Sequence, residues 1–389
     1  MTSSLPVFDF DQPADRRATG SSKWDKYAGR DILPLWVADM DFRSPPCVTA
    51  ALHARVDHGI FGYTDPTDEL AQTLIAHLED QYRWQIKKEW IVWLPGLVTG
   101  LNLAARAFCD PGQQAITATP VYPPFLSAPL NQGREVLRVP MALNGNRWAW
   151  DMDQLDSMLT PQTSMLSLCN PHNPVGRVFT QDELHDLASR CARHKLVLCS
   201  DEIHCGLILD ASKKHIPIAS LSPEICASTV TLMAPSKTFN LPGLGCAFAI
   251  VSNAQLRARM KRAAAGVVPR VNALGFTAAQ AAYGDGEPWR AALLAYLRGN
   301  RDLVLEAIGT MPGLRVFPME ATYLAWIDAR ALGQPNPTKF FEEAGVGLSD
   351  GAEFGAPGYV RLNFGCTRTL LRQGLARMAS AIAKLKISG

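Results

Sequence analysis

Leu232-Met233-Ala234-Pro235-Ser236-Lys237-Thr238-Phe239-Asn240 sets a single lysine just behind an apolar run that reads as a buried strand. An ordinary solvated lysine has little reason to sit there, and a lysine so placed suits Schiff-base chemistry. Two upstream stretches share the arrangement, because Asn170-Pro171-His172-Asn173-Pro174-Val175-Gly176 and Ser200-Asp201-Glu202-Ile203-His204 also follow apolar runs. Three polar constellations therefore leave the ends of successive strands, where ligand crevices form in open α/β sheets.

Outward from these stretches, strand and helix patterns alternate across the middle of the chain, as in a parallel sheet covered on both faces. Strands are expected over 89–94, 114–119, 134–139, 165–168, 196–200, 229–233 and 246–251. Most are near-continuous apolar runs, which suit burial on both faces. Pro95-Gly96 turns the first strand into an apolar helix over 97–108. Thr67 is placed to cap a helix with Leu70, Leu74, Leu78 and Tyr82 on one stripe; the last helix repeats the pattern with Leu371, Leu375, Met378, Ile382 and Leu385. Composition breaks at Tyr283-Gly284-Asp285-Gly286, ahead of a long helix expected over 287–311. The chain reads as α/β. A large domain (51–286) is built on a mainly parallel seven-stranded sheet, and residues 1–50 and 287–389 form a smaller α+β domain.

With 389 residues the chain can bury a substantial core. Its 38 basic and 36 acidic residues leave a net charge of +2, which argues for neither a nucleic-acid nor an acidic-membrane partner. Residues 1–20 are polar and lack the apolar centre of a secretory signal, and no apolar stretch is long enough to span a bilayer. A soluble, cytoplasmic protein is expected. The nine cysteines are odd in number, scattered and without a Cys-x-x-Cys pair, and the eight histidines lack i, i+4 pairing. Neither a disulfide framework nor a metal site is expected.

A lysine, an aspartate at a strand end, an asparagine between prolines and a glycine opening a helix together match the needs of pyridoxal 5′-phosphate. Lys237 would hold the cofactor aldehyde and, once freed by an amino-acid substrate, act as general base at Cα. Asp201 would keep the pyridine nitrogen protonated, so that the ring withdraws electrons from Cα. Asn173 would donate to the phenolic oxygen. Tyr122, in Pro120-Val121-Tyr122-Pro123-Pro124, would stack on the ring. Amides of Gly96, Leu97 and Val98 would meet the phosphate at the helix start. Each residue also has a plain structural reading as a cap, turn or packing residue; their shared order and spacing favour the cofactor.

In these motifs the chain resembles the fold-type I pyridoxal-phosphate enzymes, with an aspartate aminotransferase-like fold, of the class I/II aminotransferase superfamily. The superfamily likeness lies in Asn170 to Gly176, Asp201, Ser236-Lys237 and Tyr359-Val360-Arg361-Leu362-Asn363-Phe364. A narrower likeness, to the MalY/PatB-type cystathionine β-lyases, lies in Leu35-Trp36-Val37-Ala38-Asp39-Met40-Asp41-Phe42, Phe61-Gly62-Tyr63-Thr64, Ser200 to His204 and Lys237 to Asn240. The resemblance implies that Tyr63 reaches the phosphate in a neighbouring subunit, hence a homodimer with shared active sites. It also implies that Arg361 clamps the substrate α-carboxylate in a bidentate pair, with Ala38 and Asn173 beside the substrate and His204 near the phenolic oxygen. Relatives often carry a hydroxyl residue three positions before the lysine, where this chain has Ala234, so Ser236 must supply the phosphate-binding hydroxyl.

The expected reaction is α,β-elimination from a cysteine S-conjugate such as L-cystathionine, giving a thiol, pyruvate and ammonia. Transamination begins with the same Cα deprotonation, and the motifs leave the branch open. The resemblance also permits a regulatory role through protein contact. Trp36 and Tyr323 are candidates for tuning substrate preference.

Overall fold

The computed structural model describes residues 8–387. Seven strands make the main sheet: β1 (Ile91–Leu94), β2 (Gln114–Thr119), β3 (Glu135–Pro140), β4 (Thr163–Cys169), β5 (Val197–Asp201), β6 (Thr229–Met233) and β7 (Ala247–Ile250). Their order is β1-β7-β6-β5-β4-β2-β3. All run parallel except β7, which is antiparallel to both its neighbours. Every residue of β6 is buried, as its continuous apolar run requires. Register sets Cys169 beside Asp201 and Asp201 beside Leu232. The three polar stretches thus leave the sheet side by side, at the carboxyl ends of β4, β5 and β6.

Helices cover the sheet through their apolar stripes. In α1 (Asp68–Tyr82), Leu70, Leu74 and Leu78 are buried, and the Thr67 hydroxyl accepts from the Leu70 amide at 3.1 Å. Losing such a cap costs about 1 kcal/mol. In α2 (Leu97–Phe108), Leu101, Ala104, Ala105 and Phe108 are buried against the sheet. Gly100 permits that contact, because a Cβ there would lie 3.1 Å from the Leu232 side chain. Further along, α3 (Gln181–Arg193) begins with a capping box between Thr180 and Glu183.

A second, antiparallel sheet comprises β8 (Arg315–Val316), β9 (Leu324–Asp328), β10 (Ser349–Asp350) and β11 (Tyr359–Asn363), in the order β8-β9-β11-β10. Its core is shared with α4 (Glu287–Gly309) and α5 (Arg368–Ile387), whose Leu371, Leu375, Met378 and Ile382 are buried. Leu33–Pro34 pairs in parallel with Val346–Gly347, which ties the N-terminal segment to this region. Among the described residues no helix is long and apolar enough to cross a membrane.

Boundaries differ from expectation where polar residues intervene. Lys88–Trp90 forms a 3-10 turn rather than strand, since exposed Lys88 and Glu89 gain nothing from entering the sheet. Helix α4 ends at Gly309, two residues early, where the Thr310 amide turns back to the Ala307 and Ile308 carbonyls. All five residues of β11 are buried, so the face bearing Arg361 and Asn363 is not solvated.

Candidate active site

A cavity of about 270 Å³ opens at the carboxyl ends of β4, β5 and β6. Asp201, the last residue of β5, and loops that follow the strands, with Asn173, His204, Ser236 and Lys237, reach it. The start of α2 contributes Gly96, Leu97 and Val98, and the segment after β2 contributes Tyr122. Ala38 and Arg361 close it from the N-terminal segment and β11. Tyr63 is absent from the cavity of its own chain. It is fully exposed, beside Phe61 and the stretch from Val268 to Leu274.

Lys237 is held where the sheet ends, and its Nζ donates to the Ala38 carbonyl at 2.5 Å. Burial pushes its pKa down to about 8, against opposing attraction from Asp39. The same carbonyl accepts from the Tyr323 hydroxyl at 2.9 Å. Two asparagines fix the backbone that presents it. Asn240 accepts from the Met40 amide and donates to the Met40 and Phe42 carbonyls, while Asn363 donates to those of Val37 and Asp39.

Asp201 accepts a 3.0 Å hydrogen bond from the Ile203 amide, and burial raises its pKa to about 7. Ionised, this buried carboxyl would gain a charge-assisted hydrogen bond from a protonated heteroaromatic nitrogen. Arg361 donates from Nη1 to Asn173 Oδ1 at 3.1 Å, and from Nη2 to the Trp36 carbonyl at 3.1 Å and Ser349 Oγ at 3.2 Å. Its Nε has no partner, and its guanidinium carbon lies 4.6 Å from the Phe354 ring centre. Burial lowers its pKa to about 10. His204 is pushed down to about 3 by burial and by the charges of Lys237 and Arg361, and its Nδ1 is unpartnered. Burial raises the Tyr122 phenol, whose backbone amide donates to the Asn173 carbonyl at 3.0 Å.

Sequence reasoning missed Thr99, Cys169 and Ile203, which also line the cavity. Thr99 had a readable signal: a hydroxyl in the first turn of a helix opened by a glycine. It lines the same cavity as Ala234, which has no hydroxyl. Trp36 meets Arg361 through its carbonyl, while its indole Nε1 donates to the Lys23 carbonyl at 3.1 Å. Neither Trp36 nor Tyr323 lines the cavity.

These residues fit pyridoxal 5′-phosphate. The first turn of α2 opens on the cavity with no side-chain cap on its amides, leaving donors for a phosphate. A buried amine, a buried acid and a phenol line the same space. Fold and site together define the aspartate aminotransferase-like class of pyridoxal-phosphate enzymes. The family Aminotransferase class I and II matches residues 30–378, and the chain belongs to it. The chain is 36% identical to cystathionine beta-lyase PatB of Bacillus subtilis (strain 168), over 96% of this chain and 100% of that protein. It is similar to the crystal structure of OvoB, with 47% identity, a TM-score of 0.95 and coverage of 96% and 99%. Cystalysin from Treponema denticola, solved with its pyridoxal 5′-phosphate cofactor, matches with 31% identity, a TM-score of 0.94 and coverage of 98% and 100%.

Proposed function

We propose that the chain is a pyridoxal-phosphate-dependent carbon-sulfur β-lyase that cleaves L-cystathionine or a related cysteine S-conjugate to a thiol, pyruvate and ammonia. One observation carries the reading: Lys237, an amine whose pKa is lowered to about 8, shares a buried cavity with Asp201 and Arg361. Full-length similarity to a cystathionine β-lyase supports elimination over transamination.

When bound, the cofactor supplies electron withdrawal from the substrate Cα. The chain's residues do the rest. Arg361 directs its guanidinium at the substrate α-carboxylate. Lys237 holds the cofactor aldehyde and, as a free amine, takes the Cα proton; a pKa near the working pH suits that transfer. Asp201 would keep the proton on the ring nitrogen, Asn173 and His204 would face the phenolic oxygen, and Tyr122 would cover the ring. The α2 amides of Gly96, Leu97 and Val98, with the Thr99 and Ser236 hydroxyls, hold the phosphate. The Cβ-S bond would break as Cα-Cβ unsaturation forms, the sulfur leaving with the proton that Lys237 took from Cα, and addition of water would release pyruvate and ammonia.

The exposed strip of Ile60, Phe61 and Tyr63 supports a homodimer in which Tyr63 completes the phosphate site of the neighbouring subunit. Nine free cysteines support a reducing, cytoplasmic location. The separation of the seven-stranded sheet from the four-stranded one supports a large domain over 51–286 and a smaller one from 1–50 and 287–389.

The test is incubation of cofactor-loaded protein with L-cystathionine and no 2-oxo acid, following pyruvate and thiol together. Equal, continuing release of both is expected. Turnover that starts only after a 2-oxo acid is added would replace this reading with an aminotransferase.

A further inference from the structure

The Tyr323 hydroxyl takes no part in the proposed reaction, yet it meets the main-chain oxygen that holds the lysine. Tyr323 is buried outside the cavity, and burial raises its phenol, so it stays protonated and donates. Its hydroxyl lies 2.9 Å from the Ala38 carbonyl, which also accepts from Lys237 Nζ at 2.5 Å. A carbonyl oxygen has two lone pairs, so these two donors fill it. Neither side of the contact is free to drift. Ala38 is the centre of a γ-turn closed by the Asp39 amide on the Val37 carbonyl at 3.0 Å, and Asn363 donates to the carbonyls flanking Ala38 at 2.6 and 2.7 Å. Tyr323 follows Thr322, a buried β-branched residue held at φ 71°. Such a conformation is costly and persists only where the surroundings over-determine it. Here the Thr322 amide donates to the Leu207 carbonyl at 2.9 Å, its hydroxyl accepts from the Leu324 amide at 3.2 Å, and the Tyr323 carbonyl accepts from the Phe364 amide at 2.9 Å.

Resting on the reading of Lys237 as the base at Cα, we propose that Tyr323 is a positioning residue that acts on Lys237 through the Ala38 carbonyl. By occupying one lone pair of that oxygen, it keeps the carbonyl from binding the protonated lysine too tightly. A charged ammonium donates more strongly than a neutral amine, so a carbonyl left wholly to Lys237 would favour the ammonium. Less free amine would then be available to take the Cα proton, and that proton would pass less readily to the departing sulfur. Asp39, Arg361 and Asp201 also act on Lys237, and His204 stands close enough to feel its charge. Asp39 is paired with Arg16 at 2.6 Å. All four stay in place when the Tyr323 hydroxyl alone is removed, which isolates its contribution.

The full-length protein, freed of cofactor and mixed with pyridoxal 5′-phosphate, provides the test: the rate of imine formation at Lys237, read by absorbance, is followed against pH. That rate rises as the lysine loses its proton, and the ionisations of the free cofactor are common to every variant. Tyr323→Phe is expected to raise the midpoint by about half a pH unit. Site-specific 3-fluorotyrosine at position 323, a more acidic phenol and a stronger donor, is expected to lower it by roughly a quarter of a unit. Shifts of opposite sign are a signature that a packing role does not produce. An unshifted midpoint in Tyr323→Phe, or shifts of the same sign in the two proteins, overturns the inference. Should Tyr323→Phe not fold, the fluorinated protein decides alone, and a midpoint unchanged or raised there overturns it. An unaltered protein that forms no imine would instead overturn the reading of the site.

Discussion

Arg177 and Arg361 are both almost wholly buried, in opposite electrostatic circumstances. Arg177 meets both oxygens of Glu183 at 2.9 and 2.7 Å, pairs with Glu320 at 3.3 Å and donates to the Trp148 carbonyl at 2.8 Å. Arg361 has only neutral acceptors and an unpartnered Nε. The lysines repeat the contrast. Lys23, with no exposed surface, lies 2.8 Å from Asp41. Burial alone would raise the Asp41 carboxyl, yet Lys23, Trp24 and Arg16 bring it below the ordinary range. Lys237 has just the Ala38 carbonyl. A buried cation with its carboxylate is part of the scaffold, whereas one left with neutral acceptors is poised for a ligand that brings the missing chemistry.

The contrast predicts that function and stability separate. Lys237→Ala should reduce pyruvate release by about 10⁴-fold, the upper range for a lost general base. It should leave the melting temperature of cofactor-free protein unchanged or higher, because an unpaired buried ammonium costs stability. Arg177→Leu should do the reverse, lowering unfolding free energy in urea by about 3–5 kcal/mol as Glu183 and Glu320 lose their cation. A Lys237→Ala protein that melts early, or an Arg177→Leu protein of ordinary stability, would break the comparison. Arg361→Lys sharpens it: the charge survives but the planar fork does not, so kcat/KM should fall about 30-fold with stability little changed.

Acid and base limbs of stability follow from the same unpaired groups. Asp201 has its folded-state pKa raised to about 7, so the folded state binds the extra proton between the ordinary carboxylate value and 7. Stability of cofactor-free protein should therefore fall as pH rises through that window. Lys237 has its pKa lowered to about 8, so the unfolded chain binds the extra proton above 8, and stability should recover as pH rises toward the ordinary lysine range. Melting temperature against pH should show a dip between the two, and Asp201→Asn should remove its acid side. A curve without the dip would mean that both groups find counter-ions in the folded state.

Much of this was readable beforehand, for physical reasons that differ by residue. The apolar runs of β5 and β6 have no other use than burial on both faces, and Asp201 and Lys237 stand out because they terminate such runs. The reversed direction of β7 left no mark, since an apolar strand looks the same whichever way it runs. Thr99 was readable as a hydroxyl in the first turn of α2, whereas Arg177 carries no such signal, since only the fold brings Glu320 to it. Glu202 and His215 meet across 13 residues of loop, a spacing that no helical or strand period encodes. Tyr63 was singled out by resemblance alone, and in its own chain it is fully exposed.

The smallest effect tests how Arg361 is aimed. Its Nη2 shares two acceptors, and the Ser349 hydroxyl also donates to one of them, the Trp36 carbonyl, at 2.9 Å. Ser349→Ala removes one neutral hydrogen bond while Trp36 and Asn173 remain, a loss of about 1 kcal/mol, or roughly fivefold in KM. Because the guanidinium stays charged and buried, the change should appear in carboxylate binding rather than in unfolding. A KM that holds while the melting temperature drops would place Ser349 with the scaffold around Glu183 and Glu320, and would leave the aim of Arg361 to the Asn173 amide and the Trp36 carbonyl.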